Sequence, residues 1–290
     1  MNLKELKTYF ISSITHLYAS EEVLSFFYLL AEKQLGLSRI AIALQPEKEI
    51  SEAAKLAFNK AISRLENFEP IQYIIGGAEF FGLPLIVDKN VLIPRPETEE
   101  LVDWIAVENQ NKEATILDIG TGSGCIAISL AKYLPKAKVY GLDVSTEALL
   151  VAEQNAALNK VDVTFVNADV LNKNAWEPTF EDVKFDIIVS NPPYVRILEK
   201  KLMKSNVINH EPTIALFVKD EDPLLFYRKI AQLSKLYLKV EGALYFEINE
   251  YLSDEMKEML SFEGFKDVEI RKDIFKKDRM IKCIKNERTN

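Results

Sequence analysis

The apolar positions change their period once along the chain. Over residues 1 to 70 they recur at steps of three and four. Leu3, Leu6, Tyr9, Phe10, Ile14 and Leu17 form one stripe, and Val23, Leu24, Phe26, Phe27, Leu29 and Leu30 a second. Ala54, Leu56, Phe58, Ile62 and Leu65 form a third. Stripes of this spacing are one face of a helix, so a small helical bundle is predicted. Ser20, followed by Glu21 and Glu22, reads as an N-cap with an acidic first turn, and another helix follows Ser51. Between Pro70 and Asp88 the pattern turns to short apolar runs broken by glycine. Tyr73-Ile74-Ile75, Phe80-Phe81-Gly82-Leu83 and Leu85-Ile86-Val87 predict strands of a β-hairpin linker over residues 71–90.

From Thr115 onward, buried strands alternate with helices. Strands are expected at 115–119, 138–142, 163–166, 185–190 and 242–247, with helices at 125–134, from 145, at 223–238 and at 253–264. Two further strands, 268–270 and 280–283, close the chain. Repeated βα units of this length imply an α/β fold, a doubly wound and mainly parallel sheet of the Rossmann-like kind, over residues 91–290.

One stretch is chemically unusual. The strand Phe185 to Ser190 runs straight into Asn191-Pro192-Pro193-Tyr194. A strand cannot continue through two prolines, which lack the ladder N–H and fix φ near −65°. The corner falls at the carboxyl end of a strand, where open α/β sheets bind ligands. It offers an amide (Asn191), a rigid carbonyl (Pro192), a second proline (Pro193) and an aromatic face (Tyr194). That set suits a planar group bearing an NH₂, with Asn191, Pro192 and Tyr194 as catalytic candidates. Upstream, Arg95 lies between Pro94 and Pro96, ahead of a helix that Thr98 or the neighbouring acids could cap. It is either a substrate-binding residue, able to reach a carboxylate or close over a ligand, or an ordinary arginine on a surface loop.

A second constellation accompanies the corner. The strand ending at Asp118 and Ile119 leads into Gly120-Thr121-Gly122-Ser123-Gly124, a turn that lets backbone approach a ligand and opens a helix. Asp143 ends the next strand, where a carboxylate can accept both hydroxyls of a ribose. Asp169, followed by Val170, ends the third and suits an exocyclic amine. The turn reads G-x-G-x-G, and Cys125 stands where a dinucleotide fingerprint places its third glycine. An acid at Asp118 would repel a pyrophosphate but suits the cationic methionine portion of S-adenosylmethionine. That molecule is the expected cofactor. Asn191 borders this group too.

Composition narrows the field. The 290 residues carry 36 Lys and Arg against 44 Asp and Glu, a net charge of −8, which argues against gripping nucleic acid over a broad surface. Residues 1 to 70 are near neutral. The two cysteines make no disulfide framework, and the two histidines, His16 and His210, lack ligand spacing, so no metal is expected. No apolar run reaches the roughly 18 residues that suggest a membrane span. A cytoplasmic monomer is expected.

Taken together, QYIIGGAEFFGL, VLIPRPETEELV, ILDIGTGSGCIAISLA, GLDVSTEALLVAEQNAALN, IVSNPPYV and HEPTIAL make the chain resemble the PrmC/HemK family of release factor glutamine methyltransferases over nearly its full length. NPPY alone is shared with adenine-modifying methyltransferases. IPRPETE joined to NPPY is far more specific. The resemblance implies an N-terminal helical domain (1–70) that docks a release factor, a hairpin linker, and a methyltransferase domain acting on the glutamine of the Gly-Gly-Gln loop. Two departures stand out: Phe217-Val218-Lys219-Asp220-Glu221-Asp222-Pro223 where a Gly-rich stretch is usual, and Asn249 where a glycine is usual. Neither is expected to touch the ligand-binding motifs. The alternatives are an adenine-amino methyltransferase on DNA or RNA, and a protein-binding module with an inactive cofactor fold. The first would want a basic surface, and the basic C-terminal stretch from Lys266 to Arg279 is interleaved with acids.

Overall fold

A computed structural model describes residues 1–172, 180, 182–203 and 205–286. It divides into two compact units. The first is Met1–Gly77 with the short helix Ser205–His210; the second is Ala78–Met203 with the chain from Glu211 onward.

The first unit holds α1 (Leu3–Ile14), α2 (Ser20–Leu35), α3 (Arg39–Leu44), α4 (Glu52–Glu66) and α5 (Ile71–Ile75). The predicted stripes meet in one core, apart from Tyr9 and Leu56, which are exposed; within it Phe10, Phe27 and Phe58 make mutual ring contacts at centroid distances of 5.8, 5.9 and 5.7 Å. Asn2 and Glu5 form a capping box on α1, and Ser51 caps α4 by accepting from the Ala54 N–H. Ser20 does not cap. It is the first helical residue, and Ala19 before it offers no side-chain acceptor. The helix α3, capped by Ser38, was not foreseen, because only Ile42 of its six residues is buried and no stripe forms. Tyr73–Ile75 is helical rather than a strand. Pro70 precedes the turn with its fixed φ and Gly76 ends it in the left-handed region at φ 67°, so the punctuation overrides the apolar run.

The second unit opens with the hairpin β1 (Ala78–Phe80) and β2 (Leu83–Leu85), paired antiparallel about Phe81-Gly82. The hairpin packs within this unit: Phe80, Leu83 and Leu85 are buried among Ile126, Leu130 and Ala156. The residues expected as one linker are therefore divided between the units. Next come α6 (Pro96–Glu108), β3 (Thr115–Ile119), α7 (Cys125–Tyr133), β4 (Lys138–Asp143), α8 (Thr146–Asn159), β5 (Val163–Asn167) and β6 (Phe185–Ser190). The two-residue strands β7 (Val195–Arg196) and β8 (Phe217–Val218) pair with each other. Then follow β9 (Leu238–Glu247), β10 (Phe265–Lys272) and β11 (Asp278–Lys285). Helices Leu225–Tyr237 and Ser253–Phe262 lie to either side of β9 in sequence.

Among the described residues the main sheet has the order β10-β11-β9-β6-β3-β4-β5. The five strands from β9 to β5 are parallel, and β11 and β10 are added antiparallel as a closing hairpin. Side chains alternate between two cores with the period of a pleated strand. Ile116, Ile187, Val189 and Tyr245 pack against α6 and α7, while Leu117, Ile188, Leu244 and Phe246 pack against Tyr227, Ile230 and Met256 on the other face. β3 has β4 on one side and β6 on the other, so the strand order reverses there. That reversal opens a crevice at the carboxyl ends of β3, β4 and β6.

Candidate active site

A cavity of about 380 Å³ occupies this crevice. It gathers predicted residues from four strand ends: Gly120 and Gly122 after β3, Asp143 on β4, Asp169 and Val170 after β5, and Asn191, Pro192 and Pro193 after β6. Asn90, Val91 and Leu92 supply one rim, and Pro212, Ile214 and Ala215 another. Asp118, Thr121, Ser123, Gly124, Arg95 and Tyr194 do not line it, so their parts are different.

The glycine turn was expected to aim its N–H groups at a ligand. Instead the N–H groups of Gly120 and Thr121 both donate to the Leu142 carbonyl on β4, at 2.8 and 2.9 Å. That of Gly122 donates to Asp143 Oδ2 at 2.8 Å, and that of Gly124 to the Thr121 carbonyl at 2.8 Å. The turn is stitched to its neighbouring strand, which leaves its glycines as a close-approach wall. Gly124 also carries a steric demand. At φ 80° a Cβ there would come within 2.8 Å of Ile128 Cδ1.

The acids differ in their partners. Asp118 is wholly buried, and its Oδ2 accepts from Thr121 Oγ1 at 2.6 Å and the Ala127 N–H at 3.3 Å. Its Oδ1 has no hydrogen-bond partner among the described residues. Burial pushes this carboxyl up to about 7, against the two hydrogen bonds that favour its charged form, with nearby Asp143 adding to the rise. Asp143 holds the Gly122 N–H on Oδ2 and the Ser145 N–H on Oδ1 (3.0 Å), so both oxygens are oriented and keep further acceptor capacity. Its pKa is also raised, chiefly by burial. Asp169 accepts from the Leu171 N–H at 2.8 Å, which fixes the carboxylate at the cavity wall.

At the proline corner, Pro192 is buried and Asn191 half-buried. Asn191 Nδ2 donates to Thr98 Oγ1 at 3.3 Å, and Thr98 Oγ1 donates to Glu247 Oε2 at 2.6 Å. Tyr194 is not a cavity wall. Its hydroxyl turns inward and donates to Glu247 Oε1 at 2.8 Å, because the buried carboxylate needs a second donor and the apolar core accommodates the ring. Burial raises the Tyr194 phenol well above its ordinary value, with the charge of Glu247 the next cause. Thr98 lies inside the first turn of α6 and does not cap it; Arg95 occupies the cap position without a side-chain bond. Arg95 Nη2 instead donates to Glu211 Oε1 at 2.7 Å, while the Ile93 N–H donates to Oε2 of the same buried carboxylate at 3.3 Å. The pair ties the two cavity rims together. Asn249, expected to stay clear of the motifs, donates to the Tyr194 carbonyl at 3.2 Å and to Glu199 Oε2 at 3.1 Å, which a glycine could not do.

The family described as "PrmC N-terminal domain" matches residues 9–76, and "Methyltransferase small domain" matches residues 98–213. A "Release factor glutamine methyltransferase" of Flavobacterium psychrophilum is 49% identical over 97% of this chain and 99% of its own length. The protein of that name from Bacteroides thetaiotaomicron is 45% identical over 96% and 99%. The chain belongs to the release factor glutamine methyltransferase family. Among solved structures, a 16S rRNA methyltransferase of T. thermophilus in complex with AdoMet and guanosine shares the fold at 17% identity and TM-score 0.50, over 72% of this chain and 50% of that one.

The residues present fit the cofactor such a methyltransferase uses, S-adenosylmethionine. A buried carboxylate oxygen without a partner, an oriented carboxylate with spare acceptor capacity and apolar walls from Leu142, Ala148 and Val170 are the donor set a cationic nucleoside needs. In this family member four functional residues escaped sequence reasoning. Thr98 and Glu247 were each visible, in PETEE and in the EIN strand end, but the bond between them spans 149 positions. Glu211 sits in HEPTIAL, and its partner Arg95 lies 116 positions away. Asn155 is wholly buried on α8, where it accepts from the Ile86 N–H and donates to the Ile86 and Ser123 carbonyls at 2.6, 2.9 and 2.9 Å, joining hairpin, turn and helix. A polar residue on the inward face of α8 was its only signal. Among the described residues no cluster able to hold a metal is found, and no helix is long and apolar enough to cross a membrane.

Proposed function

We propose that the chain methylates the side-chain amide nitrogen of the glutamine in the Gly-Gly-Gln motif of peptide chain release factors, with S-adenosylmethionine as methyl donor. The observation that carries this reading is that Asn191 and Pro192 border the same cavity as Asp143 and Asp169. A carboxamide acceptor site and a nucleoside site therefore share one crevice. Relatives of 45–49% identity over nearly the whole chain support the substrate class.

When bound, the cofactor supplies an electrophilic methyl group on a sulfonium sulfur. An amide nitrogen is a poor nucleophile, since its lone pair is delocalised into its carbonyl, so the task of the protein is alignment. Holding reactants in a near-attack geometry is worth roughly 7–11 kcal/mol. Asn191 Oδ1 and the Pro192 carbonyl each accept one N–H of the glutamine amide and orient its nitrogen. As that nitrogen gains positive charge, both acceptors bind it more strongly than they bound the ground state, and one of its protons leaves to water after the methyl group has passed from sulfur to nitrogen. Asp143 receives the ribose hydroxyls, Asp169 the adenine amine, and Asp118 offers negative charge to the methionine end. Glycine at 120 and 122 keeps the wall within reach, and Gly124 lets the turn pack against Ile128. Arg95 acts through Glu211 to hold the rims. The first unit docks the release factor, and the enzyme works as a cytoplasmic monomer without contacting nucleic acid directly.

The test is incubation of the protein with the cofactor and either a release factor or adenine-containing DNA, followed by mass spectrometry of tryptic peptides and nucleosides. One added methyl on the Gly-Gly-Gln glutamine is expected. Methyl transfer to adenine alone, or to neither substrate with cofactor binding intact, overturns the reading.

A further inference from the structure

We infer that Glu247 is a positioning residue: through Thr98 it dictates which end of the Asn191 amide faces the cavity. The inference rests on the proposed reaction for its purpose, while its geometry stands apart from it. Glu247 is buried at 1% exposure and carries a donor on each oxygen, Thr98 Oγ1 at 2.6 Å and Tyr194 Oη at 2.8 Å. Its own backbone carbonyl accepts from the Tyr227 hydroxyl at 3.0 Å, so the residue is held at both ends.

The consequence follows from counting protons. A hydroxyl has one hydrogen, and an ionised carboxylate can only accept. Thr98 therefore gives its hydrogen to Glu247 and has only lone pairs left for Asn191. The Asn191 atom facing Thr98 at 3.3 Å must then be the NH₂, and Oδ1 is the atom left for the cavity that Asn191 lines. Were the amide turned over, an NH₂ would face the NH₂ of the substrate, and donor would meet donor. Proton direction in the Glu247–Thr98–Asn191 chain thus makes the corner an acceptor. Tyr194 belongs to the same device. Its hydroxyl fills the other Glu247 oxygen and its carbonyl is held by Asn249, so the chain just after Pro193 is pinned on two sides.

The charged and titratable groups around Glu247 are Glu97 on α6, Cys125 at the start of α7, Tyr194 beyond the corner, Tyr227, and Arg279 on β11, itself paired with Asp273 at 3.2 Å. Burial pushes the Glu247 carboxyl above its ordinary value and Glu97 adds to the rise, while the hydrogen bonds from Thr98 and Tyr194 and the positive charge of Arg279 favour its charged form. Replacing Glu247 by glutamine keeps the shape but no longer imposes the proton order. The new NH₂ must face either Thr98 or Tyr194, and facing Thr98 it frees that hydroxyl to donate to Asn191 Oδ1.

The experiment compares Thr98→Ser, Thr98→Val and Glu247→Gln with wild type by steady-state methylation of a release factor and by calorimetry of cofactor binding. Thr98→Ser, which retains the hydroxyl, is expected to keep kcat within about threefold, whereas Thr98→Val and Glu247→Gln lose about a hundredfold in kcat. Cofactor Kd should move by less than about threefold in all of them. Equal losses in kcat and cofactor affinity, or full activity in Thr98→Val, overturn the inference. A second readout, on the wild-type protein, needs no activity. The Asn191 side-chain NH₂, assigned in ¹⁵N spectra by its disappearance in Asn191→Ala, should show one amide proton protected from solvent exchange. Two freely exchanging protons refute the Thr98 bond whatever the substrate proves to be. If the wild type methylates no release factor yet shows that protected proton, the proposed reaction fails and the proton order stands.

Discussion

Asp118→Asn separates what the buried carboxylate costs the fold from what it gives the ligand. Burial raises its pKa from the ordinary 3.8 to about 7. Between those values the native protein holds a proton that the unfolded chain has released, so stability falls as pH rises through that window and the loss is complete above about pH 7. At about 1.4 kcal/mol per pH unit, a rise of some three units removes roughly 4 kcal/mol from the ligand-free protein at alkaline pH. Asparagine can place its Oδ1 where Oδ2 now lies, keeping the Thr121 and Ala127 bonds, and it carries no charge. In urea unfolding at about pH 8.5 the variant is expected to be the more stable protein by up to about 4 kcal/mol, and the difference should fade as pH drops toward about 4. Cofactor affinity should move the other way, weakening about tenfold or more because the methionine end loses its counter-charge, a change of at least about 1.4 kcal/mol by calorimetry. A stability difference that does not vary with pH, or a variant less stable at alkaline pH, would refute the assignment of the cost to a buried charge. Unchanged affinity would refute the role of Asp118 toward the ligand.

The remaining predictions probe other parts of the cavity. Asn191→Ala should lower kcat by about a hundredfold while shifting cofactor Kd little, because it removes an acceptor that acts on the developing charge; parallel loss would make it a cofactor residue only. Asp143→Ala should weaken cofactor binding about tenfold or more in calorimetry and also free the Gly122 and Ser145 N–H groups it now holds. Asn155→Ala should destabilise the second unit by about 2–4 kcal/mol, since it strands the Ile86 N–H and the Ile86 and Ser123 carbonyls in the interior. Chemical denaturation measures it, and a cost below about 0.5 kcal/mol would mean that water replaces the amide.

Much of this molecule is legible from local pattern, and the boundary of legibility has a physical origin. Strands β3, β4 and β6 stand out because parallel strands buried on both faces read as largely apolar runs, closed here by Gly120, Asp143 and Asn191, while the half-buried edge strand β5 is closed by Asn167. The cavity position follows from those closures, since Gly120, Asp143, Asp169 and Asn191 all sit at carboxyl ends. Side-chain direction beyond the corner is not legible. Tyr194 reads as an aromatic face for substrate, but the partner that turns it inward, Glu247, lies 53 positions away. Larger separations, 149 and 116 positions, hide the Thr98–Glu247 bond and the Arg95–Glu211 pair. Tyr73–Ile75 fails for a different reason: three apolar residues serve a short helix as well as a strand, and Pro70 and Gly76 decide between them.

The stitching of the glycine turn bears on which ligands the crevice can take. A phosphate cradle needs backbone N–H groups aimed outward. Here those of Gly120 and Thr121 are committed to the Leu142 carbonyl, and that of Gly122 is committed to a carboxylate. The surrounding side chains are Asp118, Asp143 and Asp169, all acids. A pyrophosphate would meet negative charge and occupied donors together, so the resemblance of the turn to a dinucleotide fingerprint ends at its shape. A nucleoside that carries positive charge and no phosphate meets the opposite conditions: acceptors for its hydroxyls, apolar walls for its base and a buried carboxylate for its cation. The corner at Asn191 then completes the crevice with acceptors in place of donors, which suits a neutral amide gaining positive charge and disfavours an anionic substrate. The two carboxylates that line the cavity, Asp143 and Asp169, with Asp118 buried near them, give it a single electrostatic sense, which fits the proposed reaction, in which positive charge passes from a sulfonium to a nitrogen.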